Sequence, residues 1–326
     1  MPLAMPLAMG RAYARPVDST GGGEWAAIGR IRSRFPAPPP GETWIGDDAA
    51  VVEVAGHALL LAADVVVAGT HVDLALTSIA DMGWKAVAVN VSDIAAMGGR
   101  PLHLTVTVVG PPEIDLDGLY DGIAEASRHY GCPVVGGDLA IGPGPSVSVA
   151  ITGWSPERRP VLRAGARPGD GLWCTGPLGR ASAGLSDLRA GRASSANAAA
   201  HRRPRARVEE GTAAARAGAT AMTDVSDGLA SDLHHLVQAS ATGAALDRVP
   251  VAEGCTTEQA LGGGEDYELV FAAPDPDRVR AEFAAAGLAT PLLIGRCVPA
   301  ADGLTLAGQP LAPLGWEHRW RGASRG

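Results

Sequence analysis

The sequence predicts an α/β (α+β) fold in two domains, and three observations carry that expectation. Short β-branched runs alternate with segments of helical apolar spacing along both halves, the pattern of layered sheets and helices. The chain has 326 residues, 46% of them hydrophobic, enough for two cores of ordinary size. A Pro- and Arg-rich stretch over 155–169 separates the halves and reads as a linker. The expected divisions are a disordered leader over 1–23, a first domain over 24–154 and a second over 155–326.

The leader ends in Gly21-Gly22-Gly23, and its Met1-Pro2-Leu3-Ala4 repeat is too short and too Pro-broken for a signal peptide. Residues 24–35 space Trp25, Ile28, Ile31 and Phe35 three and four apart, which predicts a helix stopped by the prolines from Pro36 to Pro40. Strands follow over 48–54 and 57–63, the second ending on Asp64. Thr77-Ser78-Ile79-Ala80-Asp81 predicts a capping box opening a helix of about twenty residues that Gly98-Gly99 ends. Asn90 and Asp93 share one face of that helix, and a charged Asp93 among apolar neighbours requires a partner. Next come a strand over 102–109, an amphipathic helix over 116–130, and strands over 133–135 and 147–153. The first of that last pair runs through Gly136-Gly137 to Asp138.

In the second half, 172–175 is a strand and the Ala/Ser/Arg-rich residues 186–207 read as a surface excursion before a helix to Gly218. The extended run from Ala219 to Met222 then gives way, across 223–232, to the helical spacing of Leu229, Leu233, Leu236 and Val237. Residues 265–271 predict a strand behind Gly262-Gly263-Gly264. A helix over 277–286, a strand over 292–295 and a tail with Trp316 and Trp320 complete the chain.

The junction at 223–232 sets Asp224, Asp227 and Asp232 with Ser226 and Ser231 around Gly228. Ser226 or Asp227 can serve simply as a helix cap, but Asp224 lies in the extended segment, where a second acid nearby would repel it unless a cation intervened. Asp47-Asp48, Asp64, Asp93 and Asp138 repeat the theme, so five segments deliver carboxylates at strand ends or on apolar elements. Such groups are costly to bury unpaired, and hard divalent cations prefer oxygen, so a shared Mg²⁺ cluster accounts for them together.

Composition excludes other classes. A formal charge of −8 with Lys85 as the only lysine leaves no basic surface for nucleic acid. No apolar run reaches the ~18 residues of a membrane span. Cys132, Cys174, Cys255 and Cys297 form no C-x-x-C pair, as expected of buried thiols in a reducing cytoplasm. There is no P-loop, and Gly176, Gly179 and Gly184 do not match the dinucleotide fingerprint. A phosphorylated ligand would therefore rely on metal, arginine or backbone amides. His234-His235 reads as partly exposed helix surface.

Taken in order, several segments resemble the bacterial thiamine-monophosphate kinase family. They are Gly46-Asp47-Asp48-Ala49-Ala50, Asp64 with Ala68-Gly69-Thr70-His71, the run from Lys85 to Gly98 containing Asn90-Val91-Ser92-Asp93, Gly136-Gly137-Asp138, Asp224-Val225-Ser226-Asp227-Gly228-Leu229 and Gly263-Gly264-Glu265-Asp266-Tyr267-Glu268-Leu269. The resemblance extends from Glu24 to Trp316. The first, third and fifth of these elements are shared with the wider aminoimidazole ribonucleotide synthetase superfamily, which includes selenophosphate synthetase and the hydrogenase maturation dehydratase. The Ala68–His71 and Gly263–Leu269 segments are more specific to the kinase.

The resemblance implies an aminoimidazole ribonucleotide synthetase-like fold, with an N-terminal domain that pairs with a second copy in a homodimer and a C-terminal domain that closes over the ligands. It implies ATP as co-substrate and several Mg²⁺ ions, with thiamine monophosphate as acceptor. Asp48, Asp64, Asp93, Asp138, Asp224 and Asp227 correspond to metal ligands, Asp93 and Asp227 being the catalytic pair. Tyr120, Gly137, Asp138, Arg163 and Ser226 correspond to ATP contacts, and His71, Glu265 and Trp316 to contacts of the thiamine phosphate. The acceptor would be a phosphate oxygen already ionised at neutral pH, so no strong general base is needed. Two departures stand out: Ala62 and Ala63 precede Asp64 where the family usually has hydroxyls, and Leu139-Ala140 follow Asp138 where it tends to have threonines. The alternatives are another ATP-using synthetase or dehydratase of the superfamily, whose reactive cysteine this chain lacks, and a nucleotide-binding protein without turnover, for which Ala62-Ala63 speak.

Overall fold

A computed structural model describes residues 15–16, 23–157 and 159–318, so Trp320 and nearly all of the expected leader lie outside the described residues. Arg15, Pro16 and Gly23 are the exceptions. Arg15–Pro16 (β1) pairs antiparallel with Leu314–Gly315 near the other end of the described chain, so this part of the leader is ordered by a strand it meets only in the fold.

After α1 (Glu24–Arg32) come β2 (Ala50–Val54), β3 (His57–Val67), α2 (Ile79–Ala96), β4 (Arg100–Gly110), α3 (Leu116–Tyr130), β5 (Val134–Ile141) and β6 (Ser146–Trp154). The five strands form one sheet in the order β2-β3-β6-β4-β5. Only β4 and β5 are parallel, because α3 carries the chain back between them. The capping box is present: the Ser78 side chain accepts from the Asp81 N–H, and the Asp81 carboxylate accepts from the Ser78 N–H. Alternate residues Leu104, Val106 and Val108 of β4 and Val147, Val149 and Ile151 of β6 point beneath α2 and form the first core with Val87, Val91 and Ile94. Among the described residues no helix covers the opposite face of the sheet, where Leu61 and Val65 of β3 are exposed. At its edge β5 is exposed along its length, with Val135, Leu139 and Ile141 at 60%, 58% and 79% exposure.

The second half contains β7 (Gly171–Cys174), α4 (Arg180–Arg189), α5 (Ala196–Arg202), α6 (Val208–Arg216), β8 (Ala221–Asp224), α7 (Leu229–Ser240), β9 (Thr242–Leu246), α8 (Thr257–Gly262), β10 (Leu269–Ala273), α9 (Pro276–Ala285), β11 (Leu292–Pro299), β12 (Leu304–Leu306), β13 (Gln309–Pro310) and β14 (Leu314–Gly315). β7 to β13 form a seven-stranded sheet in the order β13-β12-β9-β11-β7-β10-β8, and β14 pairs with β1. Neighbouring side chains leave it on opposite faces. Leu172, Cys174 and Val270 pack with Leu229, Leu233 and Leu236 of α7, whereas Trp173, Phe271 and Met222 pack with Ala213, Ala214, Val279 and Phe283 of α6 and α9. Ala95 and Ala96 of α2 join that last cluster, which ties the two halves together. Among the described residues no helix is long and apolar enough to cross a membrane.

Several expected boundaries are corrected. β3 does not stop at Ala63 but runs on through Asp64 to Val67, because Val65 to Val67 keep pairing with β6. β5 likewise does not end on Asp138 but runs on to Ile141, which puts Asp138 inside a strand; a Cβ on Gly137 would strike the Val106 carbonyl, so glycine is what lets β5 lie against β4 there. The strand expected from Glu265 begins only at Leu269. Glu265 and Tyr267 have φ of 59° and 51°, a left-handed zigzag that extended pairing does not admit. Residues 186–207 are more than a surface excursion: an exposed connection over 190–194 lies between the end of α4 and α5, which packs on α4 through Gly184 and buries His201.

Candidate active site

Asp48 precedes β2, Asp93 lies on α2 and Asp224 ends β8, and carboxylate oxygens of these three fall within 4.8 Å of one another. The sequence folds to this meeting point through hydrogen bonds of its own. Asn90 sits one turn before Asp93; its amide oxygen accepts from the Asp64 N–H at 2.9 Å while its NH₂ donates to the Ala86 carbonyl. That locks α2 against β3 and sets Asp64 beside the cluster. Ser92 donates to Asp224 at 2.5 Å and Thr223 donates to Asp48 at 3.2 Å. The expected cap on α7 is absent: neither Ser226 nor Asp227 caps it, and the Asp232 carboxylate instead accepts the N–H groups of Asp227 and Gly228. Asp227 is thereby free to face the cavity.

Arg163 is the cation at this end. Its guanidinium donates to both oxygens of Asp48 and lies 5.1 Å over the Trp25 ring, whose other neighbour is His235. One arginine does not balance so many acids. Burial, then repulsion from Asp48, pushes Asp224 up to about 7, and burial with repulsion from Glu24 and Asp224 does the same to Asp227. Asp47 is likewise raised to about 7 by burial and by Asp48, and Asp93 lies well above the ordinary carboxylate range for the same kinds of reason. A set of hard carboxylate oxygens that cannot all ionise unaided fits a divalent cation such as Mg²⁺.

The raised values fix a pH dependence. Between about pH 6.5 and 8.5 the unfolded chain holds no carboxyl protons, whereas the native protein still holds a share of those on Asp47, Asp224 and Asp227. The native state thus binds more protons than the unfolded one, and stability falls as pH rises, by about 1.4 kcal/mol per pH unit for each proton retained. His201 and His235, pushed down by burial to about 4 and about 3, remain neutral in the native protein and oppose this trend only while their unfolded rings hold protons, an effect that fades by about pH 7.5. With divalent ions chelated, the melting temperature is expected to drop across this window, and millimolar Mg²⁺ should flatten the profile. A melting temperature that climbs with pH in the chelated protein contradicts this.

A cavity of 1010 Å³ opens from the acidic cluster toward the second half of the chain. Asp48, Asp64, Asp93, Arg163, Ser226 and Asp227 line one part, and His71, Glu265 and Trp316 line another, so nine of the expected site residues share it. Ala62 and Ala63 lie in its wall as well. Asp224 is not part of the lining; it is buried, its carboxylate beside those of Asp48 and Asp93 and bonded to Ser92. The His71 Nδ1 accepts from the Val67 N–H at 3.0 Å, so in the neutral ring the proton is on Nε2, which faces His318 at 3.4 Å. Trp316 is anchored by its N–H to the Asp227 carbonyl and meets His318 edge-on.

Three expected contacts are not brought to this cavity. Tyr120 packs on α3 against the first core, and Gly137 and Asp138 lie on the exposed edge strand. The register Asp64–Val149–Val106–Gly137 counts three strand spacings from β3 to β5, roughly 14 Å, so Asp138 cannot share an ion with Asp64 of the same chain. Sequence reasoning also passed over residues that the cavity does contain: Trp25, His201, His318 and, above all, Lys85. The signal for Lys85 was available, since a chain with one lysine places it inside an otherwise apolar helix.

Comparisons with known proteins bear on this site. The AIR synthase related protein N-terminal domain matches residues 46–155 and the corresponding C-terminal domain matches 167–304. A thiamine-monophosphate kinase of Salmonella typhimurium is 38% identical over 284 residues, covering 81% of this chain and 86% of the relative. The structure of AaThiL complexed with AMPPCP and TMP superposes with a TM-score of 0.81 at 32% identity, covering 91% of this chain and 97% of that one. The hydrogenase maturation protein HypE of E. coli reaches a TM-score of 0.61 at 17% identity, covering 81% and 85%, a likeness of fold alone.

Proposed function

Because the chain belongs to the thiamine-monophosphate kinase family of AIR synthase related proteins, we propose that it transfers the γ-phosphoryl group of ATP to thiamine monophosphate, giving thiamine diphosphate. The observation that carries this reading is one cavity lined by Asp48 and Asp93, whose carboxylates meet that of Asp224, together with His71, Glu265 and Trp316. Asp48, Asp93 and Asp224 would hold Mg²⁺, with Asp64 and Asp227 at the rim; when bound, the metal offsets the repulsion between two polyanionic substrates. The protein's own groups then orient the reactants. Arg163 offers a fork of donors to phosphate, Ser226 a hydroxyl and His71 an Nε2–H. Glu265 presents acceptors and Trp316 a flat face to a cationic heterocycle. Because the attacking oxygen belongs to an ionised phosphate, alignment and charge neutralisation suffice.

The working unit in this reading is a homodimer. The uncovered sheet face and the apolar edge strand β5 support it, as does the position of Gly137 and Asp138 on that edge, which reach a metal–nucleotide site only if a second copy brings its β5 edge to the cluster. The direct test is incubation with ATP, Mg²⁺ and thiamine monophosphate, followed by chromatography for thiamine diphosphate. ADP release without thiamine diphosphate would favour another acceptor, and no ADP at all a nucleotide-binding protein without turnover.

Substrate choice is tested at Trp316, 37% exposed at the cavity wall. Trp316→Ala is expected to raise KM for thiamine monophosphate about five- to thirty-fold, the worth of one stacking or cation–π contact, and to leave KM for ATP nearly unchanged. Equal shifts for both substrates would mark Trp316 as structural.

A further inference from the structure

We infer that Lys85 is a positioning residue that clamps Glu265 at a fixed distance from the acidic cluster and so sets the seat of the phosphate-accepting substrate. Lys85, Val89 and Asp93 follow one another at single-turn intervals on α2 and all line the cavity, so the helix that supplies a cluster carboxylate also supplies the chain's sole lysine. The Lys85 side chain is 2% exposed, and its Nζ donates to Glu265 Oε1 at 3.0 Å and to the His71 carbonyl at 3.4 Å. The second Glu265 oxygen has His201 Nδ1 of α5 at 3.6 Å.

Glu265 has little else to place it. It occupies a left-handed backbone conformation in the loop before β10, tied by its N–H to the Ser226 carbonyl at 2.7 Å. Burial alone would push its carboxyl up, but the Lys85 ammonium beside it draws it below the ordinary range, so the group remains an ionised acceptor. The ion pair therefore joins α2 of the first half to a loop of the second half across the cavity, between the residues proposed to hold Mg²⁺–ATP and those proposed to hold the thiamine ring. A pair serving stability alone has no need to lie in the cavity wall. A pair that sets the spacing of two substrates does.

This inference rests on the kinase reading, and the experiment separates the two. Steady-state kinetics with thiamine monophosphate and ATP would be measured for the parent, Lys85→Met, Lys85→Arg, Glu265→Gln and the double variant Lys85→Met/Glu265→Gln. A parent that forms no thiamine diphosphate overturns the kinase reading itself, and with it this role. With an active parent, Lys85→Met is expected to raise KM for thiamine monophosphate about 10- to 100-fold, the worth of a hydrogen-bonded charge pair, at an ATP KM within about two-fold of the parent. Lys85→Arg, which keeps the charge at a different reach, should fall between. In the Glu265→Gln background the added Lys85→Met change should cost far less than it does alone, since the partner it positions is gone. Equal KM increases for both substrates, or multiplicative effects in the double variant, overturn the clamp. If Lys85→Met does not fold, Lys85→Arg decides: a several-fold rise confined to thiamine monophosphate supports the clamp, and unchanged constants overturn it.

Discussion

Asp224→Asn is expected to lower turnover at least about 10³-fold while raising the melting temperature of the metal-free protein, two changes of opposite sign from one atom pair. Asp224 is buried, ends β8 and accepts from Ser92 at 2.5 Å, and Asn keeps its shape and can keep that partner. What the substitution removes is a charge that the native protein already resists, since burial and Asp48 hold the carboxyl near 7. At pH 8 its removal should stabilise the apo protein by on the order of 1 kcal/mol or more, about 2 °C or more for a chain of this size. The same charge is what a divalent cation requires, and an amide oxygen is a weaker ligand. Asp93→Asn, on the facing helix, should behave alike. Near-parent turnover in both variants would remove the shared cluster from the mechanism, and a loss of activity accompanied by a loss of stability would make Asp224 a structural residue. Stability gained at the expense of activity is the behaviour of a site built against its own electrostatics.

The strand and helix alternation was legible because each core-facing element repeats its apolar residues at a period of two or three to four, as in β4, β6 and α3, the last matching its expected bounds of 116–130. The carboxylates were legible for a related reason: an acid such as Asp93 inside an apolar helix stands out against its neighbours. Strand ends were harder to read, since an acid or a glycine pair resembles a stop. Asp64 and Asp138 are instead passed over, because pairing with β6 and with β4 outweighs local preference. Helix α5 was hidden by composition, its packing on α4 resting on Ala and Gly contacts that carry no bulky apolar signal. The Lys85–Glu265 pair was hidden by distance, its partners standing 180 residues apart. Nor does a sequence disclose which chain of an oligomer supplies a residue.

Mixing two inactive variants, Asp138→Asn and Asp224→Asn, is expected to restore about a quarter of parental activity if β5 of one copy completes the site of the other. Asp138 lies three strands from Asp64 within its own chain, on an edge whose apolar residues Val135, Leu139 and Ile141 are open. A face-to-face pairing of two such sheets about a two-fold axis that runs along the strands reverses the strand order of one against the other, so that β5 of each copy approaches β2 and β3 of its partner. In a mixed dimer one site then draws an intact Asp224 from one chain and an intact Asp138 from the other, while the second site inherits both lesions. Random exchange makes about half of the dimers mixed, each with one working site of two, hence the quarter. Each variant alone should be inactive, and the mixture should gain activity at the rate at which subunits exchange. Leu139→Lys, placing a charge on the apolar edge, should yield monomers by light scattering and abolish the complementation. A mixture that stays as inactive as its components after demonstrated subunit exchange would show that Asp138 does not act across the interface.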